Sequence, residues 1–383
     1  MNERYSRLTL IPWWDQERLR SASALVVGTG ALGNEIIKSL ALLGLGKITV
    51  VDMDRIESSN LSRSVLFRAS DVGSYKAEVI ARNAQQLNPD VEVVPLIGKF
   101  EEKVGLNLLR QSDLVFAGLD SRLARLNLGR ACRLVGKPWI DGAIEALHGI
   151  ARVFGPEGPC YECTLNEIDL ELIEKRKSCA LISKEEAEQG KIPTTPTMAS
   201  IVAGFQVQEG VKLLHDNRNL PILVGRAFFI NGLTHDSYSI TYSEKKECPS
   251  HEKFEQFIEI DGSSHATIEE ILSMIKEKVP EVRSVSLRRE VVIAERCVPC
   301  KTEKTVGVTP QKWIEGKNTC QTCHKNLQPI LAQDLSDFSK LAQTSLNQLG
   351  VPENEILSAI VGESIVGVVL KSESEEIKVR RAA

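Results

Sequence analysis

The sequence predicts an α/β protein whose main part is a doubly wound, Rossmann-like sheet, followed by a smaller C-terminal α/β region with a zinc ribbon. The first observation is an apolar run, Ala24 to Val27, that leads into Gly28, Gly30 and Gly33 and then into apolar residues at helical spacing. The second is another apolar run, Ile48 to Val51, which completes a strand–turn–helix–strand unit. The third is a group of paired cysteines near the end of the chain.

A carboxylate follows the second strand where nucleotide-binding α/β folds place one on a ribose. Asp52 and Asp54 lie about 20 residues beyond Gly33. A glycine turn that serves packing alone would also fit the G-x-G-x-x-G pattern. Because strand, helix and acid are all in register here, we interpret the unit as a nucleotide site and assign to it Gly28, Gly30, Gly33, Asp52 and Asp54.

Composition describes an ordinary globular chain. It has 383 residues, 42% hydrophobic residues and a formal net charge of −4, which gives no general attraction to DNA or to an anionic membrane. The charged N-terminus does not resemble a signal peptide, and no apolar run approaches the roughly 18 residues that span a bilayer. We therefore expect a cytoplasmic protein, whose nine cysteines favour metal ligands or catalytic thiols over disulfides. Cys132, in a helical apolar pattern with Ala131 and Leu134, is instead interpreted as a core residue.

Cationic and polar side chains follow the first unit. Asn60 and Arg63 share one loop, and Lys76 opens a predicted helix, where the helix dipole would favour a phosphate. This charge suits a triphosphate better than a nicotinamide dinucleotide. Asp120 follows a predicted strand at 114–117 and is a candidate for magnesium or phosphate, although it could instead cap the helix predicted at 122–135.

Taken together, the ordered motifs resemble one family. RYSR, GTGALGNE, VVDMD, SNLSR, GSYKAE, GLDS, CYEC and TTPTMASIVAGFQVQEGVKLL occur in this order between about residues 4 and 253. This series resembles the ubiquitin-activating family and its bacterial relatives of the ThiF, MoeB and HesA type, which adenylate the sulfur carriers of molybdopterin and thiamine synthesis. The resemblance implies ATP as the nucleotide and a ubiquitin-like protein as the partner.

The resemblance also implies roles for individual residues. Asp52 would bind the ribose; Asn60, Arg63 and Lys76 would hold the phosphates; and Asp120 would engage Mg²⁺ and the triphosphate. Arg7 would reach the γ-phosphate region of a partner subunit, which implies a homodimer with shared ATP sites. Ser121 departs from the asparagine that commonly follows the aspartate in this family.

The implied reaction is attack by the C-terminal glycine carboxylate of the ubiquitin-like protein on the α-phosphate of ATP. In ubiquitin activators a crossover segment, here about residues 164–196, carries a catalytic cysteine. Cys179 is the only cysteine there, and the neighbouring cations Lys175, Arg176 and Lys177 would favour its thiolate. It would form a thioester and pass the modifier to a conjugating enzyme; the alternative is an incidental loop thiol.

Two sets of four residues have the spacing of structural zinc sites. The first combines C-x-x-C with a distant C-x-x-H, and its histidine departs from the fourth cysteine usual in the resembling family; loose thiols or a degenerate site are its alternative. The second is C-x-x-C, nineteen residues, C-x-x-C. The two predicted sites are Cys160, Cys163, Cys248 and His251, and Cys297, Cys300, Cys320 and Cys323.

Beyond the adenylation domain, residues 1–253, we expect a small α/β module at 254–293, the zinc ribbon at 294–327 and a docking region with a helix and strands at 328–383. Thr267 and Glu270 have the spacing of a capping box, and 334–349 has a helical apolar pattern. Residues 286–325 include eight Lys or Arg, four Glu and one aromatic residue, Trp313. This mild positive charge without a series of aromatic residues indicates nucleic-acid binding only weakly.

The leading hypothesis is thus an activating enzyme for a ubiquitin-like protein, using ATP, Mg²⁺ and two structural Zn²⁺ ions. The alternative enzyme is a sulfur-carrier adenylyltransferase without a conjugating partner. A third hypothesis, of another class, is a zinc-containing scaffold or nucleic-acid-binding protein whose ATP site only switches its conformation.

Overall fold

The structure is a computed structural model that describes residues 3–178, 193–215, 219–316 and 318–371. The chain divides into two compact units. Among the described residues, the first comprises those up to 252 except 104–108, and the second comprises 104–108 and those from 253 to 371. Within the described ranges, no helix combines the length and the apolar character needed to cross a membrane.

The first unit is built on an eight-stranded sheet with the order β3-β2-β1-β4-β5-β6-β7-β8. Strands β1 to β5 are parallel, and β5 to β8 continue the sheet as antiparallel neighbours. The parallel strands read as short apolar runs because helices cover both faces of such a sheet. The strands are β1 Ser23–Val27, β2 Lys47–Asp52, β3 Glu92–Ile97, β4 Leu114–Ala117, β5 Trp139–Glu145, β6 His148–Phe154, β7 Arg226–Asn231 and β8 Ser237–Thr241.

Helices α2 and α8 pack against each other in this unit, and α8 also packs against β5 and β6. The core contains Ile36 and Ile37 from α2, Ile48 from β2 and Phe116 from β4, all fully buried. The helices up to residue 215 are α1 Gln16–Ser21, α2 Ala31–Leu43, α3 Lys76–Leu87, α4 Phe100–Lys103, α5 Leu106–Gln111, α6 Arg122–Leu134, α7 Glu167–Ser178 and α8 Pro196–His215. Residues 106–108 of α5 belong to the second unit. Short 3-10 helices are Glu3–Tyr5, Leu8–Leu10, Ser58–Asn60, Ala69–Asp71, Glu162–Thr164 and Pro249–His251.

The predicted doubly wound sheet is therefore confirmed. Strand β1 precedes the glycine turn, helix α2 follows it and β2 completes the unit as expected, and β4 ends just before Asp120. The crossover segment, expected to be polar and poorly periodic, begins with helix α7.

The second unit contains a six-stranded sheet with the order β11-β10-β13-β14-β9, on which β12 also pairs with β10. Only β9 and β14 are parallel among these pairs. Ile271, Ile275, Val291 and Leu357 are fully buried in its core. The elements are β9 Gln256–Ile260, α9 Ile268–Lys278, β10 Val282–Cys297, β11 Thr302–Val308, α10 Pro310–Glu315, β12 Gln328–Asp334, β13 Ile356–Val361 and β14 Ser364–Leu370.

The capping box at the start of α9 is confirmed. The Glu270 backbone N–H donates to the Thr267 hydroxyl at 3.2 Å, and the Thr267 backbone N–H donates to the Glu270 carboxylate at 2.8 Å. Two of the unpaired N–H groups at the helix N-terminus are thereby satisfied.

The helix predicted over 334–349 forms only in part. A 3-10 helix covers Leu335–Leu341, and turns follow it. The backbone N–H groups of Leu346 and Asn347 donate to the carbonyls of Ala266 and Ser264, at 3.2 and 2.7 Å, and so are not available for helical hydrogen bonds. Leu346 and Leu349 are nevertheless fully buried. The apolar spacing therefore indicates which residues are buried, but not a continuous helix.

Strand β10 joins regions that were predicted from the sequence as separate modules. It begins at Val282, ends at the zinc ligand candidate Cys297, and pairs with β11, β12 and β13. The segments 254–293, 294–327 and 328–383 thus each contribute strands to one sheet.

Candidate nucleotide and metal sites

The glycine turn lets the ends of β1 and β4 approach closely. Gly28 has φ +88°, and a Cβ there would lie 2.6 Å from the carbonyl oxygen of Gly118, which follows β4. A Cβ on Gly33 would lie 2.0 Å from the carbonyl oxygen of Gly28. Both positions therefore require glycine, whereas a Cβ on Gly30 would meet no atom within 4 Å, so Gly30 faces open space.

Asp52 fastens this turn to the end of β2. Its Oδ2 accepts hydrogen bonds from the Thr29 backbone N–H at 2.7 Å and the Thr29 hydroxyl at 2.8 Å. Its Oδ1 accepts from the Asp54 backbone N–H at 2.8 Å. A carboxylate has about four acceptor positions, so these three bonds leave capacity for a ligand hydroxyl.

The polar loop after β2 holds its own side chains in place. The Lys76 ammonium lies 2.8 Å from the Asp54 carboxylate, and Lys76 begins helix α3. The Arg63 guanidinium donates to the Ser59 carbonyl at 2.6 Å, and the Asn60 side-chain oxygen accepts from the Glu57 backbone N–H at 2.9 Å. Lys76 thus lies beside Asp54, just beyond the carboxyl end of β2 and at a helix N-terminus, whereas Arg63 is bonded within its own loop.

Asp120 does not cap helix α6. The N-cap is Ser121, whose hydroxyl accepts from the Ala124 backbone N–H at 3.4 Å. The Asp120 side chain is exposed beyond the end of β4. Since β2, β1 and β4 are neighbours in the sheet, Asp52, the glycine turn and Asp120 follow strand ends on the same edge.

Two further predicted site residues come from other segments of the chain. Arg7 is exposed and precedes the 3-10 helix Leu8–Leu10, to which its side chain makes no capping bond. Its segment is anchored by buried Tyr5, whose hydroxyl accepts from the Asn88 side-chain amide at 2.7 Å. Cys179 lies outside the described residues.

One residue that sequence reasoning missed joins the two loops of the nucleotide site. The Asn34 side chain, fully buried, donates to the Thr29 carbonyl at 2.8 Å and accepts from the Leu66 backbone N–H at 2.9 Å. The available signal was an amide directly after Gly33 on an otherwise apolar helix face.

A buried ionic group that the sequence motifs did not reveal lies at the end of β4, where Asp141 of β5 is the register partner of Ala117. Asp141 is fully buried on β5 and accepts from Arg125 at 2.8 Å and from Arg152 at 2.9 Å. Arg125 further donates to the carbonyls of Leu119 and Gly142, which fixes the chain just before Asp120. Burial is the largest single influence and would lower the pKa of Arg125, but the attraction and hydrogen bond of Asp141, together with attraction from Tyr161 and Asp120, raise the pKa above its usual value.

The first predicted zinc set is assembled by the fold. Cys160 Sγ lies 3.8 Å from Cys163 Sγ and 3.5 Å from Cys248 Sγ, and Cys163 Sγ lies 3.2 Å from His251 Nε2. All four ligand atoms lie within 4.8 Å of one another. Three thiols and an imidazole suit tetrahedral Zn²⁺.

An ionic cluster joins the two segments that carry these ligands. Arg130 of α6 donates to the Glu162 carboxylate at 2.8 Å and to the Ser250 hydroxyl at 2.8 Å. Ser250 also donates to Glu162. Because Glu162 lies between Cys160 and Cys163, and Ser250 between Cys248 and His251, Arg130 holds the two ligand segments together.

The second zinc set lies in the second unit. Cys297 Sγ is 3.4 Å from Cys323 Sγ, and Cys300 Sγ is 3.8 Å from Cys320 Sγ. The residue after each C-x-x-C pair, Lys301 and His324, has positive φ, +54° and +57°. The two turns thus share one backbone conformation, and the donor set of four thiols fits Zn²⁺.

Comparison with known proteins matches the first unit. Residues 3–250 match the ThiF family model. SAMP-activating enzyme E1 of Haloferax volcanii is 32% identical over 256 residues, which are 64% of this chain and 87% of that protein. Sulfur carrier protein adenylyltransferase of Thermus thermophilus is 40% identical over 170 residues, 42% of this chain and 63% of that protein.

The fold also resembles solved structures. The structure of E. coli MccB with ATP has a TM-score of 0.54 and 23% identity, over 66% of this chain and 74% of that one. At this identity the likeness supports the fold alone.

Proposed function

The chain belongs to the ThiF family, and we propose that it joins the C-terminal glycine of a small ubiquitin-like or sulfur-carrier protein to AMP derived from ATP. The observation that carries this proposal is the edge of the sheet where Asp52 holds the glycine turn and Lys76 pairs with Asp54. Relatives with 32% and 40% identity are named for such activation.

Each residue of that edge has a role in the proposal. Asp52 binds the ribose with its remaining acceptor capacity, and Asn60, Arg63 and Lys76 hold the phosphates. Asp54 keeps the Lys76 ammonium oriented. Asp120 supplies an oxygen ligand to Mg²⁺, for which an exposed carboxylate next to phosphates is suited.

The step itself needs no base. A carboxylate oxygen of the carrier forms a bond to the α-phosphorus while the bond from that phosphorus to the oxygen that bridges the α- and β-phosphates of ATP breaks. Pyrophosphate leaves with the electron pair, and the carrier becomes an acyl adenylate. Positioning and neutralisation of the shifting negative charge account for catalysis, which explains a site of cations and carboxylates.

Two fates of the adenylate fit the family. In the first, Cys179 attacks the acyl carbon, releases AMP and holds the carrier as a thioester for a conjugating enzyme, recruited partly by residues 254–383. In the second, favoured by the similarity to the Thermus thermophilus enzyme, the adenylate passes to a sulfur donor. A reductant-sensitive adduct that is lost in Cys179→Ala while adenylation persists supports the first; its absence from the wild type supports the second.

ATP–pyrophosphate exchange tests the common step. Small ubiquitin-like proteins encoded near this gene serve as probes, each with a matched form that lacks the terminal glycine. The proposal predicts exchange with at least one intact carrier and none with its truncated form. Absence of exchange with every intact carrier would contradict both enzyme hypotheses and favour an ATP-regulated scaffold.

A further inference from the structure

The first zinc set contains a histidine where the resembling family usually has cysteine, and the structure gives that histidine a second partner. His251 Nε2 lies 3.2 Å from Cys163 Sγ and so faces the sulfur atoms. His251 Nδ1 lies 3.3 Å from Glu244 Oε1 on the other side of the ring. The imidazole is therefore held between the metal position and a carboxylate.

Metal binding through Nε2 requires a free lone pair on that nitrogen, so the ring proton must be on Nδ1. A carboxylate that accepts this proton's hydrogen bond selects the required tautomer, orients the ring and makes Nε2 a better donor. We propose that Glu244 is the positioning carboxylate that makes His251 competent to hold Zn²⁺ with Cys160, Cys163 and Cys248.

Arg133 in turn positions Glu244. Its guanidinium lies 3.7 Å from Glu244 Oε1, and its side chain is only 6% exposed. The same guanidinium donates to the Gly158 carbonyl at 3.1 Å, which fixes it to the turn before Cys160. Glu244, half exposed itself, is thus oriented by a buried cation tied to the ligand segment.

Charge makes this arrangement specific to histidine. Three thiolates and Zn²⁺ carry a net charge of about −1, whereas four thiolates would carry about −2. With a fourth cysteine in place of His251, Glu244 would have no imidazole N–H to accept from. Its negative charge would also repel a more negative site. Glu244 therefore stabilises the histidine form of the site and not a four-cysteine form.

The chain offers a matched control for Glu244. Glu157 also faces Arg133, at 4.0 Å, whereas the carboxylate beside His251 Nδ1 is that of Glu244. Glu244→Ala and Glu157→Ala both remove one carboxylate beside Arg133. Only Glu244→Ala removes the carboxylate that holds the imidazole.

Zinc affinity is measured in the full chain by competition with a chromogenic chelator, and the release phase of the first site is identified as the one lost in Cys248→Ser. We expect Glu244→Ala to lower the zinc affinity of the first site about 10- to 100-fold. Glu244→Gln should lower this affinity less, and Glu157→Ala should leave it unchanged. The phase of the second zinc set should be the same in all variants. Equal effects of Glu244→Ala and Glu157→Ala would overturn the proposal.

A second comparison uses His251→Cys. In that background Glu244→Ala should no longer weaken zinc binding, because the imidazole it served is gone. Substitution with Co²⁺ reports the ligand set independently, since the ligand-field spectrum distinguishes three thiolates and one imidazole from four thiolates. If Glu244→Ala lowers zinc affinity as much in the His251→Cys background as in the wild-type chain, the proposal is contradicted.

Discussion

At the scale of single residues, the carboxylates of the nucleotide site differ in what the fold asks of them. Asp52 and Asp54 hold the glycine turn and Lys76. Asp120 is exposed, and its neighbour Ser121 caps helix α6. If Asp120 holds Mg²⁺ as we propose, two adjacent positions have different tasks, Asp120 in the chemistry and Ser121 in stability.

Asp120→Ala should reduce carrier-dependent exchange by at least about 100-fold, the scale of losing one electrostatic group at a transition state, with little change in unfolding free energy. Ser121→Ala should lower the unfolding free energy by about 1 kcal/mol and retain most exchange. Exchange assays and urea denaturation of both variants check this. Normal exchange by Asp120→Ala would refute its proposed role with Mg²⁺.

In contrast to Asp120, we expect Asp141 to contribute mainly to stability. Asp141→Asn leaves the buried guanidinium of Arg125 and the partly buried guanidinium of Arg152 without a countercharge, so we expect a loss of about 3 to 5 kcal/mol in unfolding free energy. Glu92→Gln is the control: Glu92 pairs with Lys47 at 3.0 Å on the surface, and such pairs contribute about 0 to 1 kcal/mol. Urea denaturation of the two variants should differ accordingly; equal losses would show that the buried group is not a principal source of stability.

At the scale of elements, local patterns predicted most of what positions the nucleotide site. The glycine turn, helix α3 from Lys76 and the capping box of α9 are short-range features, and their residues suffice to specify them. The Asp141 group and the Asn34 bridge join segments that only the folded sheet brings together. No pattern within one segment could have identified those partners.

The C-terminal elements show a second limit. The cysteine spacing predicted the ligand set at the end of β10, because two short C-x-x-C turns form it locally. Strands β11, β12 and β13 were not predicted, since each is specified mainly by pairing within the sheet. Glu244 was missed for the same reason as Asp141: its contact with His251 is not contained in either motif.

The two cysteine groups should hold zinc independently. Cys320→Ser removes one ligand of the second group, so zinc content should fall from about two ions per chain to about one, while carrier-dependent exchange persists. Cys132→Ser is the control, because Cys132 is fully buried in the first unit and belongs to neither group. Elemental analysis of the purified chains measures this, and a wild type with fewer than about two ions would count against one assigned site.

At the scale of the whole molecule, the family resemblance raises the question of shared active sites. If Arg7 acts on the ATP of a partner subunit, Arg7→Ala and Asp120→Ala should each be inactive alone. A mixture should recover up to about a quarter of wild-type exchange, because random pairing of two chains yields half mixed dimers with one intact site each. No recovery, with subunit exchange demonstrated, would place Arg7 outside the shared site.

We propose that the site beside the glycine turn uses ATP to join a carrier's terminal carboxylate to AMP. Intact-protein mass spectrometry of the carrier after a rapidly quenched reaction tests it most directly. The account predicts a carrier–AMP species with the wild type, absent when the terminal glycine is removed or Asp120 is changed to Ala. Failure to form that species with any carrier, together with tight binding of a nicotinamide or flavin nucleotide in place of ATP, would contradict it.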